Sequence, residues 1–200
     1  SAAGSRVGAA RKEANPDHNG DESYNYFLSV IFPHNQMQIL DYNRVVKDLN
    51  GLDKEAFLAS LESDFQVAPS EQPVKPAQPA EFGMYLDKQW YRLTLNQDKV
   101  PTDDPVARLD VSLLANHLIE PVLGISDPRR DARIDFVGGI RGLAGLEKRV
   151  DSGEMAVAFS LYPTRMEDLM AVADADEVMP PKSTWFEPKL ADGLVSHVLD

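Results

Sequence analysis

The 200-residue sequence contains no cysteine, which excludes disulfides, thiolate metal sites and cysteine nucleophiles. No run approaches the ~20 consecutive apolar residues of a membrane-spanning helix, so we expect no membrane partner. The four histidines are scattered and lack a metal-ligand spacing such as H-E-x-x-H. An initiator methionine and a signal-peptide core are also missing from the start. From these absences we expect a cytoplasmic protein, excised here from a longer chain.

Basic residues are few, with 20 Lys and Arg against 32 Asp and Glu and a net charge of −12. Non-specific binding to nucleic acid needs a basic surface, so we expect no nucleic-acid partner, although a local basic pocket stays open. The acidic run at 174–177 is expected to be a solvated turn, and no metal site is predicted. Hydrophobic residues make up 43% of the chain, which is enough apolar surface for a folded core.

The order of the predicted elements indicates an α+β fold, with a mixed, largely antiparallel sheet and helices packed on it. Runs rich in β-branched and aromatic residues predict strands at 24–32, 37–47, 82–86, 90–95, 133–137, 155–161 and 194–199. Apolar periodicity and capping residues predict helices at 2–14, 54–64, 105–119, 140–150 and 165–173. We expect the first strand to be buried and central, with the second as its hairpin partner.

Three capping signals accompany these helices. Asp53 and Asp104 are predicted to cap the second and third helices, and Thr164 with Glu167 forms a capping box for the last one. The segment 68–80 holds four prolines and is predicted to be an exposed loop. Residues 1–200 as a whole are expected to be a single C-terminal domain or half of a longer protein.

The first segment that could carry chemistry is I-D-F-V-G-G-I-R-G at 134–142. A strand, two glycines and a helix start would bring backbone N–H groups and the positive helix end to one point, which suits a phosphate or a carboxylate. Gly138 and Gly139 would let the backbone approach the anion, and Arg141 would add charge. The alternative is a tight turn that needs glycine for its torsion angles.

The second segment, M-P-P-K-S-T-W-F-E-P-K-L at 179–190, gathers polar groups in a proline-stiffened loop, where sites often lie. Lys182 is a candidate phosphate ligand as a point charge. Ser183 and Thr184 are candidates for binding an anion or a metal-bound phosphate. Glu187 is a candidate catalytic base, or alternatively a salt-bridge partner. The alternative is a packed surface loop that its two aromatic side chains anchor.

The third segment is I-L-D-Y-N-R-V-V-K at 39–47. Strand alternation places Arg44 on the apolar face, and a buried arginine needs a carboxylate, a phosphate or carbonyl groups. A structural ion pair is the alternative to a ligand site, with Asp135 as one candidate partner. Asp41 lies on the other face and is, with Glu187, a candidate catalytic carboxylate.

These three segments carry a family resemblance. The stretches Y-N-Y-F-L-S-V-I-F-P-H-N-Q-M-Q-I-L-D-Y-N-R-V-V-K-D-L-N-G, I-D-F-V-G-G and V-M-P-P-K-S-T-W-F-E-P-K-L resemble the bacterial and archaeal domain of unknown function 1015 family. The resemblance spans about residues 5–199. It implies a full-length protein of about twice this size, whose upstream half carries a motif similar to that of ParB-like and sulfiredoxin-like proteins. The chain is therefore identified as the C-terminal half.

The resemblance implies nucleotide-phosphate chemistry, because ParB-like relatives include kinases of free serine and CTP hydrolases, and sulfiredoxin uses ATP. Members of the family are also associated with serine-biosynthesis genes. The function hypothesis is a nucleotide-dependent small-molecule phosphotransferase, using ATP or ADP with Mg²⁺. This half would contribute an anion pocket that it shares with the missing N-terminal half, would be inactive alone, and could form a homodimer.

Two other hypotheses stay open. The chain could be a non-enzymatic module that senses a ligand or binds a protein, which predicts an exposed apolar patch without a converging polar pocket. A DNA-binding partition protein follows only from the ParB-like resemblance, and the net charge of −12 argues against it.

Overall fold

The computed structural model describes residues 2–189, 191 and 193–198. The chain forms two compact units, one made of Ser1–Met37 with Pro188–Asp200 and the other of Gln38–Glu187. That residues 1–200 are one C-terminal domain or half of a longer protein stays a prediction. Within the described residues no helix combines the length and apolarity that crossing a membrane requires.

Antiparallel strands dominate the larger unit. The strands are β1 Gln38–Leu40, β2 Tyr42–Val46, β3 Phe65–Ser70, β4 Glu81–Leu86, β5 Gln89–Leu95, β6 Ile134–Gly138, β7 Val157–Leu161 and β8 Trp185–Glu187. Six of them form one sheet in the order β3-β5-β4-β7-β2-β6, and β1 pairs with β8 in a two-stranded sheet. Every strand pairing in the described part of the chain is antiparallel. The predicted α+β fold with a largely antiparallel sheet is confirmed.

Each of the five predicted helices has a counterpart among the described residues, but the third is much shorter than predicted. They are α1 Ala2–Ala14, α2 Lys54–Leu61, α3 Asp110–Leu114, α4 Gly142–Asp151 and α5 Met166–Asp174. Asp53 caps α2 as predicted, since its carboxylate accepts the Ala56 N–H at 2.8 Å. The predicted third helix is instead a turn at Asp104, then α3, then a π-helix over Ala115–Ile119.

The capping box predicted for α5 is wrong. The hydroxyl of Thr164 donates to the carbonyl of Ser183 at 3.0 Å, so it fastens the loop before β8 instead of the helix start. Helix α5 has Arg165 at its N-cap, with no capping bond from a side chain. A long-range hydrogen bond has thus replaced the local one, which the sequence spacing alone cannot reveal.

Two apolar clusters fill the two faces of the six-stranded sheet. One includes Val46, Phe159 and the apolar side of α3, and the other includes Val45, Val137 and Leu146 of α4. Complete burial of such side chains contributes about 1.5–3 kcal/mol each. The predicted β4–β5 hairpin is confirmed, and its turn residues adopt positive φ.

The predicted central strand at 24–32 is wrong. Residues Ser23–Asn25 form a 3₁₀ turn, and the rest of the stretch has no regular structure. Tyr26, Phe27 and Ile31 are 61%, 57% and 89% exposed. A strand needs a neighbour for its backbone groups, and no segment in the described part of the chain pairs with this one.

The predicted partner strand at 37–47 is broken at Asp41. The piece before it joins β8 and the piece after it lies between β6 and β7, so a single apolar run serves two sheets. The break coincides with a bond from the Gly139 N–H to the Asp41 carbonyl, at 2.8 Å.

Two further boundaries differ from the prediction. Strand β3 extends to Ser70, so the proline-rich loop predicted for 68–80 begins later, and Val74 within it is buried. Proline is tolerated in β3 because this is an edge strand. The predicted terminal strand is absent over 194–198, and its last residue, Leu199, lies outside the described residues.

Candidate functional site

The side chain of Tyr42, at the start of β2, is where the three predicted segments meet. Its ring centroid lies 5.6 Å from that of Trp185 and 6.2 Å from that of Phe136. The ammonium nitrogen of Lys182 lies 5.6 Å from the same ring. Sequence reasoning missed Tyr42, because an aromatic residue in an apolar strand has no signal beyond its position beside Arg44.

Both glycines of the strand-to-turn segment sit where another chain segment presses on the backbone. A Cβ on Gly138 would collide with the ring of Trp185, and a Cβ on Gly139 would collide with the carboxylate of Asp41. Gly138 has a φ of −64°, which any residue adopts. These glycines therefore provide room for close approach, and the alternative explanation by torsion angles is wrong for Gly138.

The glycine turn differs from the predicted anion cradle in two ways. The N–H of Gly139 donates to the Asp41 carbonyl, so in this structure that amide is engaged within the chain. Helix α4 begins only at Gly142, after a 3₁₀ turn, so its N-terminus is displaced from the two glycines. An anion-binding role for Gly138 and Gly139 stays a prediction.

The two candidate catalytic carboxylates flank this turn. Asp41 accepts a hydrogen bond of 2.6 Å from the amide of Asn43, which is buried and also accepts the Leu161 N–H at 3.0 Å. Glu187 accepts the indole N–H of Trp185 at 2.6 Å. The sheet therefore holds Asp41 in place through Asn43, and the ring that covers Gly138 orients Glu187.

Arg44 is a charged side chain that is buried in the larger unit. It is 6% exposed, donates to the carbonyl of Tyr42, and stacks its guanidinium carbon 4.8 Å from the Phe136 ring centroid. Burial lowers its pKa to about 10, with a smaller opposing effect from Tyr42, so it stays charged at neutral pH. Within the described residues it forms no ion pair with a carboxylate.

The predicted partner of Arg44, Asp135, lies elsewhere. Strand register places Phe136 opposite Arg44 and Asp135 opposite Val45, so the side chain of Asp135 emerges on the other face of the sheet. There it accepts a hydrogen bond from Arg149 at 2.9 Å. Asp135, the candidate partner for a structural ion pair, is therefore not the partner of Arg44.

Arg44 is one of the residues that line a cavity of about 350 Å³. Helix α3 and the π-helix contribute Ser112 and Asn116 to its wall, and Asp104 is at its exposed side. The loop before β8 closes another part with Pro180 and Pro181. A π-helical turn is often found at functional sites, because the extra residue re-aims the side chains around it.

The Lys182 loop is braced from both sides. Ser183 is buried, its hydroxyl donates to the Pro180 carbonyl at 2.7 Å, and its carbonyl accepts the Thr164 hydroxyl. Lys182 has a φ of 54° and an exposed side chain, while Thr184 is half-buried. The Ser183 hydroxyl is thus used to shape the loop, and binding of an anion by Ser183 or Thr184 stays a prediction.

Arg141, at the end of the 3₁₀ turn that begins at Gly139, lines a different surface. It lines a separate groove of about 630 Å³ with Lys148 and Arg149, on the α4 side of the sheet. The structure therefore gathers Asp41, Gly138, Gly139, Lys182 and Glu187 around the Tyr42–Trp185 contact, with the Arg44 cavity adjoining. Within the described part of the chain, no group of three potential metal ligands occurs.

Comparison with known proteins gives a family. The family described as "Protein of unknown function (DUF1015)" matches residues 1–112, more than half of the chain. The chain belongs to this family. None of the curated proteins matches this DUF1015 sequence.

Several solved structures are weakly similar to this DUF1015 chain. A conserved hypothetical protein from Pyrococcus furiosus has a TM-score of 0.45 at 14% identity, over 75% of this chain and 56% of its own. A free serine kinase in complex with AMP has a TM-score of 0.44 at 13% identity, over 75% and 54%. A mutant of a free serine kinase in complex with ADP has a TM-score of 0.43 at 14% identity, and the match covers 79% of this chain and 58% of the kinase chain. The chain thus spans little more than half the length of these proteins.

Proposed function

We propose that this chain supplies an anion pocket to a nucleotide-dependent phosphotransferase that acts on a small metabolite of serine or amino-acid metabolism. The observation that supports the proposal is Arg44, a buried and charged residue of the cavity lining that forms no ion pair with a carboxylate among the described residues. A buried charge without a counter-charge costs several kcal/mol. An anionic group of a substrate would remove that cost on binding.

The identity of the residue fits this role. The guanidinium is planar and presents donors that match the oxygens of a carboxylate or phosphate in pairs. The Phe136 ring, 4.8 Å from the guanidinium carbon, and the Tyr42 carbonyl, which accepts from one of its nitrogens, hold the guanidinium in place before a ligand arrives. Phosphoryl transfer depends mainly on positioning and on stabilisation of negative charge, which a fixed cation provides.

Other groups have proposed roles around the same point. Lys182 would add a positive charge beside the Tyr42 ring, and Asp41 or Glu187 would accept a proton from the acceptor hydroxyl. A nucleotide, when bound, would supply the phosphoryl group. We assign no ligand for Mg²⁺, and the proposal includes an upstream part of the protein that completes the pocket.

The test is an assay of the natural full-length protein with ATP and with ADP against serine and other amino acids. We expect phosphoryl transfer, and the Arg44→Met variant is expected to lower kcat/KM about 100-fold, as loss of one charge-stabilising donor does. Arg130→Met is the matched control, because Arg130 is 89% exposed. Absence of transfer, or equal rates for wild type and Arg44→Met, would refute the proposal.

A second candidate function is a non-enzymatic module that senses a ligand or binds another protein. The exposed stretch containing Tyr26, Phe27 and Ile31 favours it, because exposed apolar patches often mark interaction sites. The same assay separates the two candidates. A sensing module would bind its ligand with Arg44 and leave the nucleotide intact.

A further inference from the structure

The walls of the Arg44 cavity are mostly apolar. Eleven of its fifteen lining residues are apolar, and among these lining residues only Arg44 and Asp104 carry charge. We infer that this cavity takes the phosphoryl acceptor and not the nucleotide, and that the acceptor is a small organic carboxylate with an apolar body. This inference rests on the proposed function and adds the class of substrate to it.

The charge balance of the cavity disfavours a polyphosphate. Such a group brings several negative charges, whereas the cavity lining has one cation, Arg44, and also includes Asp104 at its exposed side. Desolvating an unpaired charge costs far more than one ion pair returns. A singly charged carboxylate matches the single positive charge of Arg44 and adds far less negative charge beside the exposed Asp104 than a polyphosphate would.

The size and shape of the cavity point the same way. A volume of about 350 Å³ lies near the lower end of the range for small-molecule sites, ~300–1,000 Å³. Ser112 and Asn116 give a few polar contacts, and the ring of Phe136 with the two prolines offers flat apolar surface. By contrast, the α4 groove is larger and holds Arg141 and Lys148, for which the structure shows no ion pair among the described residues.

The experiment is calorimetric titration of the full-length protein with three probes: 3-phenylpropanoate, the neutral 3-phenylpropanamide, and ADP. We expect the carboxylate to bind the wild type at least about 10-fold more tightly than the amide, the effect of one charged hydrogen bond. Arg44→Met should abolish that preference and leave the affinity for ADP unchanged. Arg130→Met should change neither affinity.

Two conservative variants keep the result interpretable if Arg44→Met folds poorly. Arg44→Lys keeps the charge but loses the paired donors, so it should bind the carboxylate with intermediate affinity. Asp104→Asn keeps the acceptor for the Val106 and Ala107 N–H groups and removes a negative charge. It should therefore bind the carboxylate about threefold more tightly, the effect of one exposed charge.

The outcomes separate this inference from the function on which it rests. If the carboxylate does not bind, while ADP binds and loses affinity in Arg44→Met, the cavity holds the nucleotide, and only the inference is overturned. If Arg44→Met lowers the affinity for both ADP and the carboxylate, the inference that the cavity takes only the acceptor is also overturned. If neither probe binds the wild type, the inference and the proposed function fail together.

Discussion

Two arginines on opposite faces of the same sheet have contrasting surroundings. Arg149, on α4, forms ion pairs with Asp135 at 2.9 Å and with Glu154 at 2.6 Å. Arg44, on β2, is more deeply buried and has a backbone carbonyl and an aromatic ring instead of a carboxylate. An arginine with a structural role, such as Arg149, forms ion pairs with carboxylates of its own chain. We interpret Arg44 as an arginine whose counter-charge is a ligand.

The largest expected effect comes from removing each arginine in turn. Arg44→Met should lower kcat/KM of the full-length protein about 100-fold, with thermal stability unchanged or raised, because a buried charge is removed. Arg149→Met should keep the activity and lower the free energy of unfolding by about 1 kcal/mol, since its partners are half-exposed. Steady-state kinetics and urea denaturation measure both. Full activity in Arg44→Met together with loss of activity in Arg149→Met would contradict the comparison.

The glycines give the next effect. Gly138→Ala, on the side of the candidate site, would drive a methyl group into the Trp185 ring and should lower the free energy of unfolding by about 1–3 kcal/mol. Gly145→Ala, inside α4, meets only the Arg141 Cβ at 3.0 Å and gains helix propensity, so it should change that free energy by less than about 1 kcal/mol. Chemical denaturation of both variants checks this, and equal losses would contradict it.

A smaller expected effect is the pH dependence of stability that Asp110 and Asp135, one on each face of the sheet, contribute. The pKa of Asp110, on α3, is raised to about 7, mainly because the carboxyl group is buried and to a smaller extent because Asp168 is nearby. The hydrogen bond from the Ala80 N–H and the charge of Arg165 lower this pKa but do not cancel the effect of burial. The folded state therefore holds this proton more tightly, and its stabilising contribution is lost as pH rises from about 4 through 7. For Asp135, burial opposes ionisation, but the Phe136 N–H and Arg149 lower its pKa, so its contribution is lost as pH falls below 4.

The measurement is the urea midpoint at pH 5 and at pH 8. Asp110→Asn keeps the acceptor for the Ala80 N–H, which Asp110 accepts at 2.6 Å. Relative to the wild type, this variant should gain stability between the two pH values, whereas Asp135→Asn should show no such gain. Parallel curves for Asp110→Asn and the wild type would show that Asp110 titrates as an ordinary carboxylate.

Local signals in the sequence predicted local structure. The Asp53 cap and the β4–β5 turn follow from residues within a few positions of each other. Alternation also put Arg44 on the apolar face of its strand correctly. The stretch 24–32 has equally strong strand composition, but composition does not say whether a neighbouring strand exists.

The arrangement of the candidate site could be predicted only in part. The three segments were recognisable from their residue types, and they do meet at Tyr42. Which partner Arg44 takes depends on the register between β2 and β6, and a shift of one residue would have placed Asp135 opposite it. The contact of Trp185 with Gly138 joins positions far apart in the chain, for which one sequence holds no signal.

The most direct test of the central claim is a bromide soak of crystals of the full-length protein. Bromide is a monovalent anion with an anomalous signal, and a charged Arg44 without a counter-charge should attract it into the cavity. We predict an anomalous peak beside the guanidinium of Arg44 and none beside that of Arg149, whose carboxylates already neutralise it. An empty cavity, or a carboxylate of the protein paired with Arg44, would contradict the account.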